Sequence, residues 1–268
     1  MATTSILYTN LIRSTPATLT ASEGATGYEA TYLYTGNYSE VWRSTTEGLT
    51  EITIVADFGA PVTVDSVALG NVNFRSSATI KIQGHTADVW TSPDVDETID
   101  VSDLDGEKRC VFHTFASASK QYWRLSLLDD SGSGNPDGFL EIGEWFLGVK
   151  TDFTDKYDAS SRTSVIRNNV QLETEYNQVY TYKKDYARAF NLNFTNIQQS
   201  MIDILEALDL AVYGNAEPFF FVIDSSTAPH EVYFVRWDSN FEYNRINYDR
   251  YSSRVVFVEE FPGINAPR

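Results

Sequence analysis

The stretch from Tyr186 to Ile223 constrains this chain most, because it holds one amphipathic helix between two apolar runs in a sequence otherwise patterned for strands. Ala187, Ala189, Leu192 and Phe194 lead in at near-alternate spacing. Thr195-Asn196-Ile197-Gln198 then supplies a hydroxyl with a Gln three residues later, a reciprocal cap for exposed backbone donors. Ile197, Met201, Ile204, Leu205, Leu208 and Val212 recur at helical spacing, while Gln199, Asp203, Glu206 and Asp209 face elsewhere. Gly214 supplies the stop, since a residue without Cβ enters the left-handed region cheaply. The spacing predicts a helix over 196–213, followed by a strand from Pro218 to Ile223 covered on both faces. A sheet with one packed helix is the unit implied.

The rest of the chain reads as a mainly β protein. Aromatic residues make up 14%, with 16 Tyr and 16 Phe, a composition that favours strands. Ile52, Ile54, Ala56 and Phe58 alternate with polar neighbours, Asp57 to Pro61 turns the chain, and Val62, Val64, Val67 and Leu69 resume. Ala78 to Gln83, Val111 to Phe115 and Tyr122 to Leu128 repeat the pattern. Residues 1–20 read as an arm or a first edge strand, and Asp88 to Glu107, crowded with acids, as an exposed loop. Short strands separated by turns over this length predict an antiparallel sandwich for 1–150. Polar residues at 151–162 mark a linker, and 163–268 form the second domain, ending in the turn-rich tail Phe261 to Arg268.

A net charge of −17 argues against general affinity for phosphates or anionic lipid surfaces, since both rely on Lys and Arg. No apolar run is long enough to span a bilayer, and the N-terminus lacks a basic segment followed by an apolar core. Cys110 is the single cysteine, so no internal disulfide forms; a buried thiol in a chain folded in a reducing cytoplasm is expected. No motif for acyl transfer, phosphate cradling or dinucleotide binding is present, and no cofactor is called for. The three histidines lack metal-ligand spacing; His113 falls inside a strand, and His85 and His230 stand beside turn residues where exposure is expected. An enzyme would have to pair scattered carboxylates in space, and the reading here is not an enzyme.

Two candidate sites remain, each with a structural alternative. Asp129, Asp130, Asn135 and Asp137 place several oxygens in one loop, as calcium requires, with Asp103 and Asp105 a poorer set. Equally, Asp and Asn favour the tight backbone of a solvated turn. Tyr34, Tyr38, His85 and Trp90, with Tyr28 and Tyr32, offer surfaces on which a sugar ring stacks; the alternative is that they fill a core or an interface. Trp42 is assigned to the core.

Val41 to Ser44, Ile52 to Gly59, Val64 to Leu69, Thr79 to Gln83, Tyr122 to Leu125 and Leu140 to Phe146 together resemble the discoidin, or coagulation factor type C, family of galactose-binding-like sandwiches. That resemblance covers most of 25–150 and implies a jelly roll presenting loops to glycans, lipids or proteins. The family's pair of terminal cysteines is missing. The second part, through its strand pair, helix, Pro218 to Phe221 strand and closing Tyr251 to Pro262 strand, resembles the tail-tube-like domain of distal tail and baseplate hub proteins of long-tailed bacteriophages. This implies a structural virion protein in the tail, assembled in the host cytoplasm. Its partners would be copies of itself in a ring, sixfold as the first expectation and threefold as the second, with tail tube and tip proteins above and below. DNA would pass through the ring without specific binding. The competing expectation is a carbohydrate-binding module that attaches the particle to a host surface glycan.

Overall fold

A computed structural model describes residues 3–15, 17–104, 109–167, 170–173, 178–182 and 186–260. The end of the acidic segment, including Asp105 and Glu107, and the tail 261–268 lie outside the described residues. The protein is mainly β, as expected. In order the chain forms β1 (Ser5–Leu7), α1 (Leu11–Ser14), β2 (Thr18–Ala21), a 3-10 turn (Ala30–Tyr34), β3 (Trp42–Arg43), β4 (Ile52–Gly70), β5 (Thr79–His85), β6 (Val95–Ile99) and β7 (Val111–Leu128). There follow β8 (Glu141–Ile142), β9 (Glu144–Gly148), β10 (Thr151–Asp152), β11 (Arg162–Arg167), β12 (Val170–Glu173), β13 (Val179–Tyr182) and β14 (Tyr186–Ile197). Last come α2 (Gln199–Val212), β15 (Phe219–Asp224), β16 (Glu231–Trp237), β17 (Tyr243–Asn247) and β18 (Arg250–Glu259).

Contacts divide the chain into unit 1, Met1–Phe153 with Phe219–Phe234, and unit 2, Thr154–Pro218 with Val235–Arg268. A cut at 151–162 alone leaves 219–234 in the second part; the structure gives it to the first. The reason is pairing and burial: β15 lies antiparallel to β1, with Ile6 opposite Phe221. Phe220, Val222, Val232 and Phe234 share a core with Leu7, Ala68, Phe112 and Phe146.

Unit 1 is built on two long bent strands. Ile52 to Asp57 of β4 pair with Tyr122 to Leu127 of β7, and Val62 to Leu69 pair with Val111 to Lys120, with register shifts between. Gly59 takes φ +68° at the bend, a conformation that strains any residue carrying Cβ. The first half belongs to a layer with β2, β5 and β6; the second half pairs with β9. Trp42, Ile54, Ile80, Ile82, Trp123, Leu125 and Trp145 fill the sandwich between them. Alternation along β4 then serves two cores, since Val67 and Leu69 join the sandwich while Ala68 points to the core shared with β15. Small residues are required on that second face. A Cβ at Gly70 would stand 2.8 Å from Tyr38 and 3.1 Å from Phe220.

Two expectations for unit 1 change. The N-terminal segment is an edge only in part: β1 sits between β10 and β15 with all three residues buried, whereas β2 pairs with β4 alone at the end of its sheet. The acidic segment is not one long loop either, because β6 pairs with β5 through Ile80–Ile99 and Ile82–Glu97. Its acids lie on an edge strand where Lys81 and Gln83 reach Asp96, which suits an edge that must not pair further.

Unit 2 is a sheet in the order β16–β18–β14–β11, entered by residues 235–237 of β16, with β17 also paired to β18. The helix α2 lies against β18 and buries Met201, Ile202, Leu205, Leu208 and Val212. It starts at Gln199 instead of 196, because β14 continues through Ile197 and Asn196 takes φ 59°. The local capping pair is not made. The Thr195 hydroxyl donates to Asp158 at 2.8 Å, and Asp155 accepts from the Gln198 N–H at 3.0 Å, so an acid from outside the stretch caps the helix. At the other end Tyr213 and Gly214 both take positive φ, and the Gly214 N–H returns to the Asp209 carbonyl at 2.9 Å.

Leu205→Ala should therefore destabilise unit 2 by about 2–5 kcal/mol, the usual effect of emptying a buried leucine site. Asp203→Ala on the exposed face should stay within about 0.5 kcal/mol. Urea unfolding followed by circular dichroism checks both.

Candidate functional site

The structure separates the four aromatic and histidine candidates. Tyr38 belongs to the core: it is 6% exposed, its ring stacks on Phe234 at 4.9 Å, and its hydroxyl meets Cys110 Sγ at 3.0 Å and accepts from the Asn71 N–H at 2.8 Å. It is unavailable to a sugar. Tyr34, in the 3-10 turn, is half-buried against the sandwich core. His85 and Trp90 do share a loop, the one from β5 to β6. His85 Nδ1 lies 2.8 Å from the Ala87 carbonyl and Trp90 Nε1 donates to Asp88 at 2.7 Å, so both ring nitrogens hold the loop's own backbone and acids. The Trp90 ring covers the Arg124 guanidinium at 4.7 Å.

The candidate calcium loop does gather its residues, but around a guanidinium. Asp129 is fully buried and accepts from Arg75 Nε at 2.8 Å and Nη2 at 2.5 Å. Asn135 bonds the Asn73 carbonyl and Asp129, while Asp137 accepts from Asn73 at 3.1 Å. Asp130 is exposed. Among the described residues no group of three or more His, Cys, Asp or Glu side chains is placed to hold a metal ion. The loop's Asp and Asn side chains hold neighbouring segments together through Arg75 and Asn73, and with Asp129 and Asn135 buried this is not the solvated turn that was the alternative.

That locking assembles a cluster which sequence reasoning missed. Arg43 extends between two rings, 4.2 Å from Tyr28 and 4.5 Å from Phe139, donates to Glu141 at 2.6 Å and to the Tyr28 hydroxyl at 2.9 Å, and stays part-exposed. Asn73 fixes one wall, donating to the Phe139 carbonyl and accepting from the Glu141 N–H. Arg43 on β3 and Glu141 on β8 stand opposite each other in a strand pair, while Tyr28, Asn73 and Phe139 come from connecting segments, so no local motif marks the site. The signal present in sequence was Arg43 directly after the core Trp42, which forces the neighbouring side chain outward on an alternating strand.

His113 falls inside β7, as its strand pattern implies, whereas His230 lies deeper than its neighbouring turn residues suggest. His230, read as exposed, is 8% exposed and packs edge-on to Phe112 at 5.2 Å. Burial holds the His113 imidazole below its ordinary value of 6.5; Glu97, 3.8 Å away, pulls the other way, and His230 adds to the lowering. The unfolded chain thus takes up this proton near 6.5 and the folded chain only at lower pH, so stability present above 6.5 is lost on acidification. Thermal midpoints should fall between about pH 7.5 and 5.5, and His113→Leu should flatten that slope.

In unit 2 the exposed feature is a ribbon. β11 pairs with β14 only, and beyond it β12 and β13 pair with each other and with no further strand among the described residues. Leu172 stands opposite Tyr180, and Tyr182 shares their face; the three are 64%, 63% and 65% exposed. Gln171 and Thr181 occupy the opposite face. An apolar face of this kind, on two strands with open edges, is unusual on a surface that stays wet.

No family model matches the chain, and no curated protein does. Similar solved structures include carbohydrate-binding modules and a GH29 fucosidase of Ruminococcus gnavus, of whose chain 27% is covered. Chitosan-binding module 1 from a chitosanase/glucanase of Paenibacillus sp. IK-5 is 23% identical, covering 52% of this chain and 98% of its own, with a TM-score of 0.38. Module 2 of the same enzyme, in complex with chitotriose, is 18% identical over 49% of this chain and 95% of its own, at 0.38. The family 32 module of C. perfringens NanJ, in complex with galactose, is 14% identical over 55% and 99%, at 0.40. No helix among the described residues is long and apolar enough to cross a membrane.

Proposed function

We propose that this chain is a self-assembling structural subunit, with the ring of a phage tail as the setting its second part's resemblance implies. The observation that carries the reading is the ribbon of β12 and β13. A two-stranded hairpin is marginal in water by itself, and this one turns Leu172, Tyr180 and Tyr182 outward. Such a ribbon gains stability when its apolar face meets another surface, and Tyr is the residue type that interfaces favour. Exposed large apolar residues concentrate in the same unit, with Val165, Val179, Leu210, Tyr213, Tyr243, Ile246 and Tyr248 as further examples. Light scattering should find the full chain as a closed oligomer. Leu172→Asp with Tyr180→Asp should raise the concentration for half-assembly by roughly tenfold or more, equivalent to about 1.4 kcal/mol per tenfold, with circular dichroism unchanged. A wild-type chain that stays monomeric at every concentration overturns the reading.

A second reading belongs to unit 1. The cluster of Tyr28, Arg43 and Phe139 has the makings of a saccharide contact: aromatic faces, a part-exposed guanidinium, and loops pinned so that little freedom is lost on binding. Under this reading the sandwich attaches an assembled particle to a glycan surface. A glycan array with the full chain should return a sugar-selective signal. Tyr28→Ala with Phe139→Ala should weaken it by about tenfold or more, whereas Trp90→Ala leaves it unchanged.

A further inference from the structure

Unit 2 carries two exposed surfaces of opposite charge, and among the described residues no ion pair joins either to the rest of the chain. The first is the hairpin of β17 and β18. Residues 243–254 hold Arg245, Arg250 and Arg254 against one acid, Asp249, in a chain whose net charge is −17. At its tip Ile246 is 58% and Tyr248 86% exposed, with Arg245 5.8 Å from the Tyr248 ring. The second is the outward face of α2. Asp203, Glu206 and Asp209 are the helix's only charged residues, and Leu210 and Tyr213 beside them are 68% and 79% exposed. Among the described residues no ion pair joins Arg245 or Arg250 to any of these acids.

We infer that the β17–β18 tip of one copy docks on the exposed face of α2 of the next. The inference rests on the self-assembly proposed above and names its surfaces. The two patches match in both respects: basic against acidic, and Ile246 with Tyr248 against Leu210 with Tyr213. Several acids of unit 1 are already answered. Asp94 and Asp96 on and beside β6 bond Lys120 and Lys81, and Glu51 lies 3.5 Å from Arg124. Each copy offers one tip and one helix face, so the contact repeats head-to-tail when the two engage different neighbours and stops at a dimer when two copies exchange both contacts across one two-fold axis. Repetition of such a contact closes into a ring or runs on as a filament, whereas a contact of like with like stops at a dimer.

Charge reversal tests the pairing on the full chain. R245E/R250E and D203R/E206R should each form folded chains by circular dichroism, with half-assembly concentrations raised roughly tenfold or more and wild-type assembly weakened by salt. Mixing the two variants should restore assembly, since the acidic tip of one then meets the basic helix of the other. All four substitutions in one chain should restore it as well. Wild-type-like assembly by either variant alone, or failure of both the mixture and the fourfold variant to recover, overturns this contact while leaving self-assembly in place. A wild-type chain that is monomeric throughout overturns the proposed function and this contact with it.

Discussion

Everything in unit 1 is fitted around the double-sided burial of the second half of β4. Ser66 to Gly70 are all buried, with Val67 and Leu69 turned into the sandwich and Ala68 into the core beneath β15. A strand in that position cannot slip by one residue without exchanging its two faces, so register is held from both sides. Ala68 and Gly70 leave the room that Phe220 and Tyr38 fill, and the rings of Phe146, Phe220 and Phe234 lie within 4.8–6.0 Å of one another. Tyr38, from the connection before β3, closes this layer with its hydroxyl on Cys110 and Asn71. The same constraint explains why a segment from late in the chain completes the first unit.

Unit 2 shows the opposite condition. Its sheet is packed by α2 against β18, while Val165 on β11, Leu172 on β12, Val179, Tyr180 and Tyr182 on β13, and Tyr243 and Ile246 on β17 are exposed. Strand edges left open in this way are templates for pairing, and a chain that keeps them must have a use for them. Acidic edge residues protect unit 1, where β6 carries Asp96 and Glu97 at its border. Among the described residues no charged side chain shares the ribbon face formed by Leu172, Tyr180 and Tyr182. This contrast between a screened edge and an exposed apolar face is the physical basis for proposing assembly through one unit and presentation by the other.

Local pattern carried most of the element list. Alternation at Ile52, Ile54 and Ala56, and again at Trp123, Leu125 and Leu127, placed the main strands, and the 3.6-residue spacing from Met201 to Val212 placed α2. Where local pattern failed, a distant partner had intervened. The start of α2 moved because Asp155 and Asp158 capture groups that the Thr195 pair was expected to satisfy. β6 was hidden in an acidic stretch because Lys81 and Gln83, fifteen and thirteen residues away, neutralise it. Tyr38 and Trp90 look alike in a linear reading; one lies under Phe234 and the other over an arginine.

The amino-acid sequence by itself determined the class of the protein: β-rich, acidic, with one helix and a change of character near residue 150. These follow from periodicity and charge, which are properties of neighbouring residues. Only the tertiary structure decided which unit owns Phe219 to Phe234, that Asp129 serves Arg75, and that Arg43 meets Tyr28, Phe139 and Glu141. Most of those join residues dozens of positions apart, and such contacts arise from which surfaces bury one another, a quantity that no local window contains.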